Sequence, residues 1–287
     1  MGGPRTSAAV PLLLVDGFNL LWSATFGFPA QIQSRDKTRD LTGLFAFFAL
    51  LRVAVRKELP APPEIIVVFD GEHGSADRRN VDADYKAQRP TDDDALAPLR
   101  HLPDVKRGLD TLGITWVELP HAEADDVIAT LTTTTPADRQ VIILSRDRDF
   151  YQLITDRVRV LNTGFRAGAR LVDPDGVRER HDVDPNQWCD FRALTGDPAD
   201  NIPGVRGIGP GTAKTLLAGG LTLDDLPSSG RLDQGRGRAV AAQWDQALKW
   251  RDMIRLVHDL DVPTAPTGQV SPPLPAAREI VEALGLW

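Results

Sequence analysis

Apolar positions along the chain fall into short unbroken runs set between longer amphipathic stretches. Leu12 to Val15, Ile65 to Phe69, Ile114 to Leu119, Val141 to Leu144 and Val158 to Leu161 read as strands. Runs without polar alternation imply burial on both faces, the condition of parallel strands covered by helices. Leu41 to Glu58 has a broad apolar helical face, Leu99 to Leu112 is helical up to the stop at Gly113, and Glu123 to Thr132 is a third helix. Strand and helix in alternation predict an α/β region with a central, mostly parallel sheet flanked by helices. From about Asp184 the pattern changes. Asp184 and Pro185 suit the cap and first position of a helix that Gly196 follows, and short helices and glycine-rich turns continue without clear strands. Pro227 to Arg238 reads as a polar loop, Pro263 to Pro275 as a proline-rich connector, and Ala276 to Leu284 as a closing helix.

Composition changes this picture little. The 287 residues are 42% hydrophobic and 25% charged, enough for a substantial core in an ordinary globular protein. One cysteine, Cys189, excludes a disulfide within the chain and suits a reducing cytoplasm. The apolar run from Ala8 is broken by Pro11 and ended by Asp16, too short to span a bilayer. Met1 to Thr6 formally fits a myristoylation pattern, with no second membrane signal after it. A net charge of −7 argues, as a bulk number, against nucleic-acid binding; where the acids lie argues the other way.

Asp16 ends the first strand and Asp70 the second; Glu123, Asp125 and Asp126 follow the third, and Asp147 and Asp149 the fourth. Ligands of open parallel sheets bind beyond the carboxyl ends of the strands. Any one of these acids could be a turn residue or helix cap, but four strand ends delivering acids to one edge is harder to explain that way. Clustered carboxylates repel and raise one another's pKa values. Hard divalent cations relieve this, and the lack of histidine or cysteine among the acids argues against zinc. Two ions about 3.5–4 Å apart can activate water and stabilise the leaving oxygen of a phosphodiester.

The residues then match a known family. Leu14 to Gly17, Val68 to Asp70, Tyr85-Lys86-Ala87-Gln88-Arg89-Pro90, Glu123 to Ile128, Asp147-Arg148-Asp149 and Gly196 to Val205, in this order and spacing, resemble the 5′ nuclease or flap endonuclease family, and most of all the N-terminal 5′→3′ exonuclease domain of bacterial DNA polymerase I in stand-alone form. The resemblance implies a PIN-like catalytic region over 1–180 with a helical arch at about 74–105. It also implies a helical DNA-binding region over 181–262, with a helix–three-turn–helix at about 185–218, and then the connector and helix of 263–287. By motif, Asp16, Asp70, Glu123 and Asp125 surround one Mg²⁺ or Mn²⁺, and Asp126, Asp147, Asp149, Asp197 and Asp200 surround another, or a pair. Arg146 and Arg148 depart from the usual small residue and lysine around the Asp-x-Asp, and His121 stands where glycine is common.

Composition alone reads Gly74 to Pro90 as a solvated surface segment. The resemblance instead places Lys86 and Arg89 at the scissile phosphate, Tyr85 against a flanking base, and Arg78 and Arg79 among the DNA contacts. Phe26 and Phe28 are weaker candidates for wedging a base step. Gly204, Gly207 and Gly209 form a hairpin before the helix from Thr212, suited to facing a phosphate with backbone amides, with Arg206 and Lys214 adding charge. A tight structural turn is the plainer reading of that hairpin; in the family such a hairpin grips duplex DNA and often holds K⁺. The expectation is a monomeric, cytoplasmic, nucleoid-associated enzyme acting on 5′ ends, flaps or nicks, and on RNA-primed strands, with no membrane and no attached polymerase. A PIN-type ribonuclease would share the strand-end acids but gives no reason for the Gly196 to Lys214 module, and a non-catalytic junction binder would tolerate missing acids where none is missing.

Overall fold

The computed structural model describes residues 9–287; the formal myristoylation pattern of Met1 to Thr6 lies outside them. In chain order, β1 (Leu12–Asp16) leads directly into α1 (Gly17–Gly27), then α2 (Thr42–Lys57), β2 (Glu64–Phe69), α3 (Ala76–Val81), α4 (Leu102–Leu112), β3 (Thr115–Glu118), α5 (Ala124–Thr134), β4 (Val141–Leu144), β5 (Val158–Leu161) and β6 (Leu171–Val172). The rest is helical: α6 (Pro174–His181), α7 (Trp188–Thr195), α8 (Pro210–Leu217), α9 (Gly237–Ala241), α10 (Trp244–Ile254) and α11 (Ala277–Ala283).

The sheet runs β3-β2-β1-β4-β5-β6, parallel except for β6. The chain builds outward from β1 through β2 and β3, then crosses back and builds from β4 to the other edge. The crevice between β1 and β4 is therefore the topological switch point, where sheets of this kind bind ligands. Leu13 and Val15 point to the face covered by α1, α2, α4 and α11; Leu12 and Leu14 point to the face covered by α5 and the helical region. Both faces are dry, which is why β1, β2 and β4 appear in the sequence as unbroken apolar runs. The two lobes share one core: Trp188, Phe191 and Leu194 of α7 are buried in the same cluster as Ile143 and Val160 of the sheet.

Three differences from the sequence reading bear on the site. Asp16-Gly17 is the start of α1, and Asp16 caps it by accepting the Asn19 amide at 3.0 Å. The region expected as a helical arch holds the six residues of α3, a 3₁₀ turn at Ala97–His101 and the start of α4, the rest being turns and irregular chain. The proline-rich connector folds back across the leading end of β2, where the Ser271 amide donates to Pro63 O and Ser271 Oγ accepts the Ile65 amide. Gly196 and Gly204 cross so closely that a Cβ on Gly204 would lie 2.3 Å from Gly196 N, and both have positive φ (89° and 74°), so only glycine fits at either position. That crossing sets the loop carrying Asp197 and Asp200 against the end of α7.

Candidate active site and metal centre

Each strand-end acid has its own local support. Asp16 Oδ2 accepts the Ser145 hydroxyl at 2.8 Å across the β1–β4 crevice, and Ser145 Oγ in turn accepts the Asp147 amide. Asp70 reaches from β2 to accept the Ala124 amide at 2.6 Å, fixing the first turn of α5. Asp147 Oδ1 accepts the Asp149 amide, a two-residue turn that points both carboxyls toward the sheet edge. Asp197 is held by the Arg192 guanidinium at 2.5 Å, one turn back along α7. Arg192, Ser145 and Asn19 were missed in the sequence; only Ser145, as the residue ending β4, carried a signal there.

Asp16, Asp70, Asp125 and Asp147 line one cavity of about 760 Å³, together with Lys86, Arg89, Phe18, Trp22 and Phe26. Deeper in, Asp149, Asp197 and Asp200 each offer an oxygen within 4.8 Å of the others, and all three are buried. Burial pushes the Asp16 carboxyl up to about 7, and Asp70 and Asp147 add repulsion. Asp125 and Asp149 are raised well above the carboxylate range, first by burial and then by neighbouring aspartates. Asp149 Oδ1 is buried without a hydrogen-bond partner. Burying an ionised carboxylate uncompensated costs on the order of several kcal/mol, so this all-oxygen donor set fits hard divalent ions.

Two expected ligands behave differently. Glu123 is tied to Lys86 Nζ and Arg78 Nη1, each at 2.5 Å, and to the Tyr85 hydroxyl at 3.1 Å. Burial raises its pKa, but Lys86 and Arg78 outweigh that and hold it below the usual glutamate range. Asp126 faces away from the cavity. Expected as a ligand, it is engaged elsewhere: its oxygens accept both Arg78 Nη groups (2.7 and 2.8 Å) and the Val257 amide, which anchors the C-terminal segment.

The basic segment is corrected in the same way. Tyr85 is 3% exposed, with its hydroxyl 3.1 Å from Glu123 and 3.3 Å from Asp200, so its ring is not presented for stacking on a base. Arg78 is spent on carboxylates and carbonyls rather than offered to a phosphate. Arg79 is exposed, and Arg89 reaches Asp200 at 3.2 Å while half its side chain stays in solvent. Lys86 bridges the two groups of acids, 2.5 Å from Glu123 and 3.8 Å from Asp200, and these carboxylates keep it firmly charged despite burial. Phe26 is 59% exposed at the mouth of the cavity, and Phe28 packs on Phe45. On the hairpin, Gly204 and Gly207 have positive φ, Gly209 caps α8, Arg206 is exposed, and Lys214 lies on α8.

A mostly parallel sheet with acids gathered at its switch point, next to a helical hairpin, gives the protein a PIN-like fold. Sequence comparison narrows the class. Residues 11–182 match the 5′-3′ exonuclease N-terminal resolvase-like domain, and residues 183–273 match the 5′-3′ exonuclease C-terminal SAM fold. The chain belongs to the 5′-3′ exonuclease family. It is 39% identical over 217 residues to the thermostable DNA polymerase I of Thermus thermophilus, covering 75% of this chain and 25% of that protein. It is 33% identical over 268 residues to DNA polymerase I of Mycobacterium bovis, covering 92% and 29%. The chain thus spans about a quarter of the length of these relatives. Among solved structures, the zinc-bound T5 5′-exonuclease superposes with TM-score 0.65 at 22% identity, over 85% of this chain and 89% of that one. The bacteriophage T5 flap endonuclease complexed with DNA and metal ions gives 0.66 at 22%, over 96% and 93%. The catalytic core of Rad2 with DNA substrate gives 0.56 at 16%, over 98% and 88%.

Proposed function

We propose that this protein is a divalent-metal-dependent 5′ nuclease, hydrolysing DNA phosphodiesters as a 5′→3′ exonuclease and at 5′ flaps. The observations that carry the reading are a cavity lined by Asp16, Asp70, Asp125, Asp147, Lys86 and Arg89, and a separate buried cluster of Asp149, Asp197 and Asp200 with oxygens within 4.8 Å of one another. Asp16, Asp70 and Asp125 would hold one ion, and Asp149, Asp197 and Asp200 a second, with Asp147 between them. Mg²⁺ or Mn²⁺ there, two or three ions, would supply Lewis acidity to the phosphodiester and to water. The protein's own contribution is positional and electrostatic. Lys86 and Arg89 provide positive charge beside the acids, and a bound phosphate would exchange the Asp200 partner of Arg89 for its own oxygens. Phe18, Trp22 and the exposed Phe26 offer an apolar surface to a base.

The hairpin at Gly204–Gly209, with Arg206 and Lys214, supplies the grip on duplex backbone. K⁺ binding there belongs to the same proposal, as do nicks and RNA-primed strands as substrates, a monomeric state and a cytoplasmic, nucleoid-associated location. No helix among the described residues is long and apolar enough to cross a membrane. Incubating the protein and Mg²⁺ with end-labelled 5′-flap duplex, an RNA strand and plain single strands tests the reading. Cutting at the flap junction supports it. Cutting RNA alone would make the protein a PIN-type ribonuclease, and binding without cutting a junction-binding protein.

A further inference from the structure

Between α3 and Pro90 the chain carries Lys86 and Arg89, yet it contributes no strand to the sheet. It is fastened to the helical region instead. The Arg78 Nε–H donates to Met253 O at 3.0 Å and Nη2 to Arg255 O at 3.2 Å. Lys249 of α10 pairs with Asp82 at 3.0 Å. Asn201 Nδ2 donates to Asp84 O at 2.9 Å, the Lys86 amide to Asp200 O at 3.2 Å, and Gln88 Nε2 to Pro198 O at 2.6 Å. These contacts form a row of rungs along one side of the segment. Arg78 is the rung that also reaches the acids, since its Nη groups hold Glu123 and Asp126 at the first turn of α5. Its side chain is only 13% exposed. Lys86 has a left-handed backbone (φ 56°), an uncommon state for a lysine that must be held by its surroundings.

We infer that Arg78 is a positioning residue for the reaction: from α3 it ties α5 to the end of α10, so that the placement of Lys86 and Arg89 on the segment 82–89 that follows is set jointly by the sheet region and the helical region. This rests on the nuclease reading above. A phosphate contact needs only charge, which lysine retains; a hub donating to two carboxylates and two carbonyls needs the guanidinium fork, which lysine lacks. Arg78→Lys and Arg78→Met therefore fail together if Arg78 positions, and differ if it binds DNA.

The test compares wild type, Arg78→Lys, Arg78→Met and Asp82→Asn. Single-turnover cleavage of a 5′-flap duplex is measured in Mg²⁺, binding of the same duplex in Ca²⁺, and amide hydrogen exchange without DNA. Both Arg78 variants should lose about 100-fold in single-turnover rate, the scale expected for a misplaced group, with affinity within about threefold of wild type. Exchange at the Lys86 amide should quicken about tenfold while Leu14 and Ile143 of the sheet stay unchanged. Asp82→Asn, which cuts only the partly exposed Lys249 rung, should move rate and exchange in the same direction by about threefold, and carries the test should an Arg78 variant not fold. The inference is overturned if exchange over 82–89 is unchanged, or if Arg78→Lys keeps full rate while Arg78→Met loses affinity. A wild type that cuts nothing would defeat the nuclease reading, and the exchange comparison would still decide whether the rungs hold the segment.

Discussion

At the leading end of β2, Glu64 is buried and fully partnered: Arg139 Nη2 at 2.5 Å and the Gly268 amide at 2.9 Å on one oxygen, the Thr267 amide and hydroxyl at 2.7 and 2.8 Å on the other. At the trailing edge of the sheet, Asp16 and Asp149 are buried too and Asp125 is half-buried, but each faces other aspartates, and Asp149 Oδ1 has no partner. Burial raises Glu64, yet its donors outweigh burial and leave it below the usual range, whereas Asp16 is driven up to about 7. The two ends of one sheet thus separate a carboxylate that stabilises the fold from carboxylates whose repulsion is left for a bound cation to relieve. A buried acid points to function where burial and repulsion from other acids outweigh its donors, as at Asp16.

The largest expected effect is at the repelling end. Asp149→Asn should slow cleavage by about a thousandfold, about 4 kcal/mol of barrier, while the melting temperature in chelator stays level or rises, because a like charge has been removed. Normal cleavage by this variant would take Asp149 out of the site.

Next in size is Glu64→Gln at the partnered end. Stranding Arg139 should cost about 3 kcal/mol by denaturant unfolding, with single-turnover cleavage of the surviving folded protein within about twofold. A large rate loss without a stability loss would break the contrast between the two ends.

The comparison also predicts a pH trend of opposite sign at each end. A carboxyl whose folded pKa is raised, such as Asp16, favours folding while protonated and loses that contribution as pH rises through about 7. In chelator, stability should therefore increase as pH falls from 8 toward 5, by up to about 1.4 kcal/mol per pH unit for each such group. Glu64, lowered on folding, stabilises above the usual glutamate range and loses that contribution only on further acidification through its lower folded value. Melting curves across pH should show the gain in chelator and lose it in saturating Mg²⁺, since ions and protons compete for the same oxygens. A trend identical with and without Mg²⁺ would contradict the assignment.

Much of this was legible in the chain. β1, β2 and β4 could be read because burial on both faces writes them as apolar runs, and the acids at their ends could be placed on one edge from sheet topology alone. α1 was not read as a helix, because Asp16-Gly17 looks like a turn when nothing indicates that the next eleven residues continue the chain at the cavity wall. α10 keeps helical spacing at Ala247, Trp250 and Ile254 but went unnamed among the polar turns around it. Which acids stay free was beyond the sequence. Glu123 and Asp126 are claimed by Lys86 and Arg78 only because a segment some forty positions earlier folds over α5, and no local pattern encodes that return.

The smallest effect lies away from both ends, on the hairpin. Lys214→Ala should weaken duplex binding in Ca²⁺ regardless of DNA sequence and flatten the slope of log affinity against log salt by about 0.9, leaving single-turnover rate at saturating protein unchanged. An unaltered slope would remove Lys214 from the duplex contact.

The central claim is that the strand-end acids are a metal-dependent active site for DNA cleavage. Single-turnover cleavage of an end-labelled 5′-flap duplex by the wild-type protein, first in chelator and then with Mg²⁺ or Mn²⁺ restored, addresses it most directly. The account predicts no product in chelator and a discrete product cut at or near the flap junction when either metal is restored. Full cleavage in chelator, or none with either metal, would contradict it.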